Sequence, residues 1–299
     1  MLMKLFILLM LALTPLCVRA QGHLEAGYIP SRNFLDDDEN KAGSGSMWQI
    51  AGRYTLPFRV KANEGRQPTV WSGTFSGMYA RMRNKGMAAT VVPDDILNLC
   101  FTVSHMRPLS ERWYLMASLG AGVYATPDEL SFKSILANGA VIFAYKLKDN
   151  LDIGIGAGVT NSYGVPLAMP MGFLKWDTRG RYKVNVEAAN GLKASVARTF
   201  TERFKVAFVL CDMDGMTAVV KENGKCRLYS ATRMRSYLRP EVKVGRKGLS
   251  AYLNIGAEVY HTVKVSDRSL KGFFSNFKSG EGWDFEGSLL ILGGFRWGF

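Results

Sequence analysis

Three histidines, His23, His105 and His261, are the side chains of this chain that titrate nearest neutral pH and could act as a general base. A phospholipase or deacylase built on one of them needs a nucleophilic Ser in reach and a polar group to orient the ring. Ser104 and His105 are sequence neighbours, and neighbours on a strand point to opposite faces. His261 and Ser266 could meet only through a loop that folds back. No catalytic residue is assigned. Asp36, Asp38 and Asn40 have the one-three-five spacing of a calcium loop. Lys41 stands where the Gly should be, and Met47 where the closing Glu should be. A solvated loop is the simpler reading, and a weak divalent site bridging lipopolysaccharide phosphates is the alternative. Cys100, Cys211 and Cys226 lack zinc-site spacing. Cys211 and Cys226 bracket the segment 213–225, and a bridge there would be worth roughly 3 kcal/mol. Their strand parities are opposite, which argues against pairing. No metal or cofactor motif is present.

The remaining polar chemistry is positive charge. Lys and Arg number 38 against 25 Asp and Glu, a net of +13. These residues are dispersed rather than patched, which excludes a nucleic-acid binder. Their placement depends on the elements that carry them. Around 113–124, Trp113, Leu115, Ala117, Leu119, Ala121 and Val123 alternate with Tyr114, Met116, Ser118, Gly120, Gly122 and Tyr124. The same period of two recurs at 96–106, 181–188 and 250–262, which predicts strands with one apolar and one polar face. The one long uncharged stretch, Ile153–Leu174, has the length of a membrane helix. Its alternation of Gly154, Gly156 and Gly158 with Ile153, Ile155, Ala157 and Val159 predicts two strands around a turn at 161–166 instead.

The two ends of the chain point to a membrane. Lys4, the apolar run Leu5–Leu16 and the small residues before Gln21 predict a secretory signal peptide over 1–20. Leu16 before Cys17 argues against lipidation. At the other end Phe295, Trp297 and Phe299 alternate with Arg296 and Gly298, putting an aromatic face on the last strand. That pattern resembles the assembly signal of outer-membrane β-barrels, with Leu292 standing where the signal prefers a polar residue. A chain without a spanning helix can cross a bilayer only as a closed barrel. Tight turns near 108–111, 148–150, 178–180, 201–202 and 245–248 alternate with longer connections near 31–45, 84–94, 126–133, 213–225 and 264–283. Short periplasmic turns and long outer loops give that pattern. Aromatics flank both sets, as interfacial girdles do. The prediction is an all-β, transmembrane, antiparallel up-and-down barrel over 21–299 with about 14 strands, 12 being possible. A soluble sandwich or lipocalin-like barrel is the competing fold.

With the apolar faces turned to lipid, Arg53, Lys183, Lys205, Arg233, Arg235 and Glu258 become lumen-lining candidates, with Lys193, Arg296, Glu25, Asp152 and Glu187. A basic lumen would favour anionic solutes. The alternative is a structural network in which the charges neutralise one another. Leu115, Leu119, Leu253 and Ile255 are expected to face lipid. The connection 264–283, with Phe273, Phe274 and Phe277, is read as an inward lid or an adhesive outer loop.

The stretches Asn33–Asp37, Gly52–Phe58, Asn161–Gly164 and Ser269–Phe274 resemble an outer-membrane β-barrel family of unknown function from Bacteroidota. The resemblance covers the mature chain. It implies a barrel in the outer membrane of a Gram-negative bacterium and transfers no site residues. The partners expected are outer-membrane lipid, lipopolysaccharide, the barrel assembly machinery and a small solute. The function classes in play are a channel or transporter for small anionic or amphipathic solutes, a structural or adhesive barrel, and a barrel enzyme acting on envelope lipids.

Overall fold

A computed structural model of the chain describes residues 20–63, 65, 67–160, 167–189, 191–222, 225–245, 248–268 and 282–298. The leader, the expected lid phenylalanines Phe273, Phe274 and Phe277, and Phe299 lie outside the described residues. The strands are β1 (Gln21–Leu35), β2 (Lys41–Lys61), β3 (Thr69–Gly86), β4 (Asp95–Pro108), β5 (Trp113–Ala125), β6 (Ile135–Lys148), β7 (Leu151–Thr160), β8 (Leu167–Asp177), β9 (Tyr182–Ala188), β10 (Leu192–Thr199), β11 (Phe204–Glu222), β12 (Lys225–Val244), β13 (Leu249–Asp267), β14 (Trp283–Phe285) and β15 (Ser288–Trp297). A single turn of helix, α1 (Ala88–Val91), follows β3.

Sequence neighbours pair antiparallel around a ring, and β1 closes it against β15, with Gly22 opposite Trp297 and Tyr28 opposite Ile291. β14 and β15 are two segments of one wall position between β13 and β1. The wall therefore has 14 positions and is a closed barrel. Closure matters because every backbone N–H and C=O facing lipid must find its partner within the wall.

The outward faces are apolar. Leu119, Ile155 and Leu289 are 71%, 74% and 70% exposed, and Leu253, Ile255, Ile291 and Phe295 lie on the same surface. Trp297 lies flat across Gly22, where a Cβ would fall 2.4 Å from the indole. At the end of the tight turns Trp113 meets Tyr145 at 4.8 Å and Trp71 stacks on His105 at 4.1 Å, next to exposed Trp176 and Tyr182. At the other end Tyr28 and Tyr260 are exposed, and Trp48 meets Tyr79 at 6.4 Å. Two aromatic rings around an apolar band are the anchoring pattern of a barrel in lipid.

The strand heights differ from expectation. The connections read as loops at 31–45 and 213–225 are largely strand, since β1 and β2 meet in a turn at 36–40 and β11 runs on to Glu222. In that turn the Asp36 carboxylate accepts from the backbone N–H groups of Asp38 and Asn40, so it shapes the hairpin. Glu39 takes φ 61° there. Above the bilayer a strand no longer needs an apolar face, so the alternation that marks strands in the sequence fades. Cys100, Cys211 and Cys226 are free thiols, and Cys226 lies opposite Lys221, far up the hairpin from Cys211.

The tall strands enclose an apolar core at the outer end. Ile29, Phe34, Met47, Met216, Tyr229, Val263, Phe285 and Leu290 pack there, and Phe34 meets Phe285 edge-on at 4.9 Å. Ala88 of α1 and Val92 after it cover part of it. The barrel is thus filled by its own side chains at the outer end of this half.

Candidate functional site

Below that core lies a layer of buried charge. Arg233 is 1% exposed and makes a two-point contact with Asp214, with Nε to Oδ1 and Nη2 to Oδ2 both at 3.0 Å. Its Nη1 donates to Gln49 Oε1 at 2.9 Å. Arg235 Nη2 reaches Asp214 Oδ2 at 2.6 Å and Asp212 Oδ2 at 3.5 Å. Lys193 Nζ at 3.0 Å and Tyr237 Oη at 2.5 Å also donate to Asp212. Higher up, Glu258, fully buried, takes Arg32 at 2.5 Å and His261 Nδ1 at 2.8 Å. The Asp212 and Asp214 pairs form because strand registers set their members side by side, with Lys193 of β10 opposite Asp212. β11 and β12 place Asp214 opposite Arg233 and Asp212 opposite Arg235, and β12 and β13 place Arg235 opposite Glu258.

Beneath this layer is a cavity of about 400 Å³. Its lining includes His23, Glu25, Arg53, Glu187, Gly191, Lys193, Asp212, Asp214, Arg233, Arg235, Arg239, Tyr252 and Arg296. Six of these are Lys or Arg and four are Asp or Glu, so the wall carries a basic excess. Arg53 has no carboxylate partner among the described residues and is exposed into the cavity. Arg239 donates to Asn254 Oδ1 at 2.7 Å, and Asn254 donates on to Glu25 at 2.8 Å. Glu241 holds Lys205 at 3.1 Å and Arg296 at 3.3 Å.

Of the lumen candidates, Arg53, Lys193, Arg233, Arg235, Arg296, Glu25 and Glu187 line this cavity, but Arg233 and Arg235 are spent on Asp212 and Asp214, and Lys193 on Asp212. Glu258 lies in the buried layer above. Lys205 is tied to Glu241, and Lys183 to Asp177 at 2.8 Å near the tight-turn end. Phe295 and Trp297 face outward on β15, opposite in parity to Arg296. Sequence reasoning did not assign Asp212, Asp214 or Gln49 to the site. Pairing Glu222 with Lys225 would have found the two aspartates, because that register puts Asp214 beside Arg233 and Asp212 beside Arg235.

The opposite wall is different in chemistry. On β7, Gly154, Gly156 and Gly158 face inward, as Ile153, Ile155 and Val159 are exposed outward. By register Met169, Met171 and Phe173 of β8 share the inward face. Phe173 and Met171 lie across the glycine lane. A Cβ at Gly154 would fall 2.3 Å from the Phe173 ring, and one at Gly158 would fall 2.2 Å from the Met171 methyl.

Fold and lining together define a β-barrel of the outer-membrane type with a partly filled lumen. The chain belongs to the family described as a domain of unknown function (DUF6268), whose model matches residues 16–298. No curated protein sequence matches it. Among solved structures it is similar to the β domain of the Bordetella autotransporter BrkA at 9% identity, with 94% of this chain and 100% of that one covered and a TM-score of 0.36. The Pseudomonas putida toluene transporter TodX is similar at 8% identity, with 95% and 90% covered and a TM-score of 0.36. The Escherichia coli outer membrane protease OmpT gives 9%, 94% and 96%, and 0.23. Nothing about function is drawn from likenesses of this size.

Proposed function

We propose that this protein is a channel or transporter for small solutes, preferring anions, in the outer membrane of a Gram-negative bacterium. It is delivered there after cleavage near Ala20, with Phe295, Trp297 and Phe299 directing assembly. The observation that carries the solute reading is the cavity with six basic and four acidic lining residues, among them Arg53 with no carboxylate partner among the described residues. Fixed positive charge beside a narrow aqueous path concentrates anions and repels cations. Arg233 and Arg235 contribute less than their charge suggests, because Asp212 and Asp214 cancel it locally.

The test is conductance in planar bilayers under a salt gradient. Purified protein should pass current with reversal potentials that favour the anion. Arg53→Glu should move the reversal potential toward the cation at unchanged barrel yield. Protein that folds and passes neither ions nor small acids would refute the reading. It would favour instead a partner-binding barrel, for which the projecting β11–β13 hairpins and their solid core supply a rigid outer surface.

A further inference from the structure

β9 has 7 residues and β10 has 8, whereas β12 has 20. At about 3.3 Å per residue and a tilt near 40°, β9 rises roughly 18 Å and β12 roughly 50 Å. The apolar band of a membrane barrel is about 25 Å tall. The lower edge of that band is set by the ring of Trp176 and Tyr182 at the foot of β8 and β9. Measured up from there, the top of β9 at Ala188 and the start of β10 at Leu192 fall inside the hydrocarbon layer rather than above it. Val186 and Leu192, both outward and exposed, fit that depth.

The neighbouring strand does not cover the shortfall. β10 pairs with β11 as far as Leu192 opposite Met213. Above that point β11 leaves the ring and leans inward across the lumen. Val219 bridges Ala125 of β5 in parallel, and the Asn98 amide of β4 lies 2.7 Å from the Thr217 carbonyl, which it meets as a donor once its nitrogen and oxygen are interchanged. Lys221 N–H closes on Glu129 at 2.7 Å, in the connection between β5 and β6. The tall half is thereby sealed as a narrower ring of its own. Among the described residues, no strand pairs β11 above Met213 on that side or β9 above Ala188, which leaves a gap between the inward-leaning part of β11 and the low rim of β9 and β10. The cavity reaches that rim, since Glu187, Gly191 and Met213 are in its lining. Gly191 has φ +119°, and a Cβ there would fall 1.9 Å from the Met213 carbonyl, so the rim is pared to backbone at the crossing point.

We propose that this gap is a side entrance from the outer leaflet. It admits a single-tailed amphiphile with an anionic head, of the fatty-acid kind. The proposal rests on the solute reading above and names its substrate class. The head would sit against Arg53, with Arg239 and Lys193 beside it still sharing their charge with Glu25 and Asp212. The tail would leave over Gly191, past Met213. A molecule already dissolved in the leaflet reaches the cavity without passing the apolar core or the buried charge layer.

The experiment uses the full-length barrel in phosphatidylcholine vesicles and a palmitate carrying a photoreactive diazirine in its chain. Cross-linked peptides are mapped by mass spectrometry. Labels are expected on the rim residues Glu187, Gly191 and Leu192 and on the lining residue Met213. Arg53→Glu should lower that labelling about tenfold, equivalent to about 1.4 kcal/mol of head-group binding. The uncharged alcohol of the same chain length should label those sites weakly. Arg53→Gln, which adds no repulsion, should give an intermediate loss. Labels confined to outward residues such as Leu119 and Ile291 would mean annular lipid and overturn the side entrance. So would inward labelling equal for acid and alcohol. Conductance measured on the same protein separates the two failures: current without inward palmitate labelling removes the side entrance and leaves the channel standing.

Discussion

β2, β3, β11, β12 and β13 run 18 to 21 residues, whereas β7–β10 run 7 to 11. Both groups belong to one hydrogen-bonded ring and expose similar apolar faces outward. They differ in what they do inside. The tall half buries Arg32, Glu258, His261, Arg233 and Arg235 under an apolar core, and so is a solid protein domain carried on a membrane wall. The short wall turns glycines, Met171 and Phe173 inward on β7 and β8 and Glu187 and Lys193 on β9 and β10, and its last two strands border the cavity. A closed barrel satisfies its backbone everywhere, so its wall can be low on one side without exposing strand edges to lipid, provided the tall side finds another partner. Here β11 finds β5. The lesson is that strand length, more than lining composition, decides where such a barrel is open.

The largest effect should come from the buried layer. Glu258→Ala removes the carboxylate that Arg32 and His261 share and leaves the Arg32 guanidinium buried and uncompensated. Breaking one partner of a buried pair costs about 3–5 kcal/mol. Urea unfolding of the barrel refolded in lipid vesicles should show that loss. A cost under about 1 kcal/mol would mean water reaches the layer, and the contrast between a solid and an open half would fail.

This layer also marks the limit of what the sequence discloses. The outward parity of Leu119, Leu253, Ile255 and Phe295 was legible because lipid tolerates no exception on that face. The traced strands match the observed ones nearly one for one for the same reason. The heights were not legible. Met213–Glu222 reads as a loop because Asp214, Gly215 and the adjacent Val219 and Val220 break the alternation. Once a strand stands above the bilayer its pattern is set by the core it builds. With Asp214 misplaced in a loop and Asp212 left at the end of its strand with no register to β12, Arg233 and Arg235 looked like free lumen charge. The union of Arg32 with Glu258 and His261 could not be read at all, since it depends on the β1–β15 closure and on the registers across it.

A lipid-facing arginine should cost somewhat less and can weigh the two halves against each other. Ile155, at mid-strand on β7, is 74% exposed, and Ile255 on β13 is 50% exposed. Arg at either site should cost about 2–4 kcal/mol if both lie at the centre of the apolar band. Refolding equilibria in vesicles would measure both. A cost at Ile155 near zero beside a full cost at Ile255 would show the short wall standing in water or in a locally thinned bilayer. The side entrance would then open to solvent rather than to the leaflet.

The smallest effect should come from an ion pair that looks much like those above on a contact list. Lys183 Nζ lies 2.8 Å from Asp177, a shorter contact than either arm of the Arg233–Asp214 pair. Its side chains are 64% and 43% exposed, near the foot of the short wall. Water screens both charges, and holding a long lysine in one rotamer costs entropy that offsets the Coulomb gain. Lys183→Ala should therefore change stability by less than about 1 kcal/mol, and the change should shrink further in high salt. Measured beside Glu258→Ala in the same unfolding assay, the ratio of the two losses reports the difference in solvation between the halves. A loss at Lys183 as large as that at Glu258 would mean that the foot of the short wall is as dry as the core of the tall one.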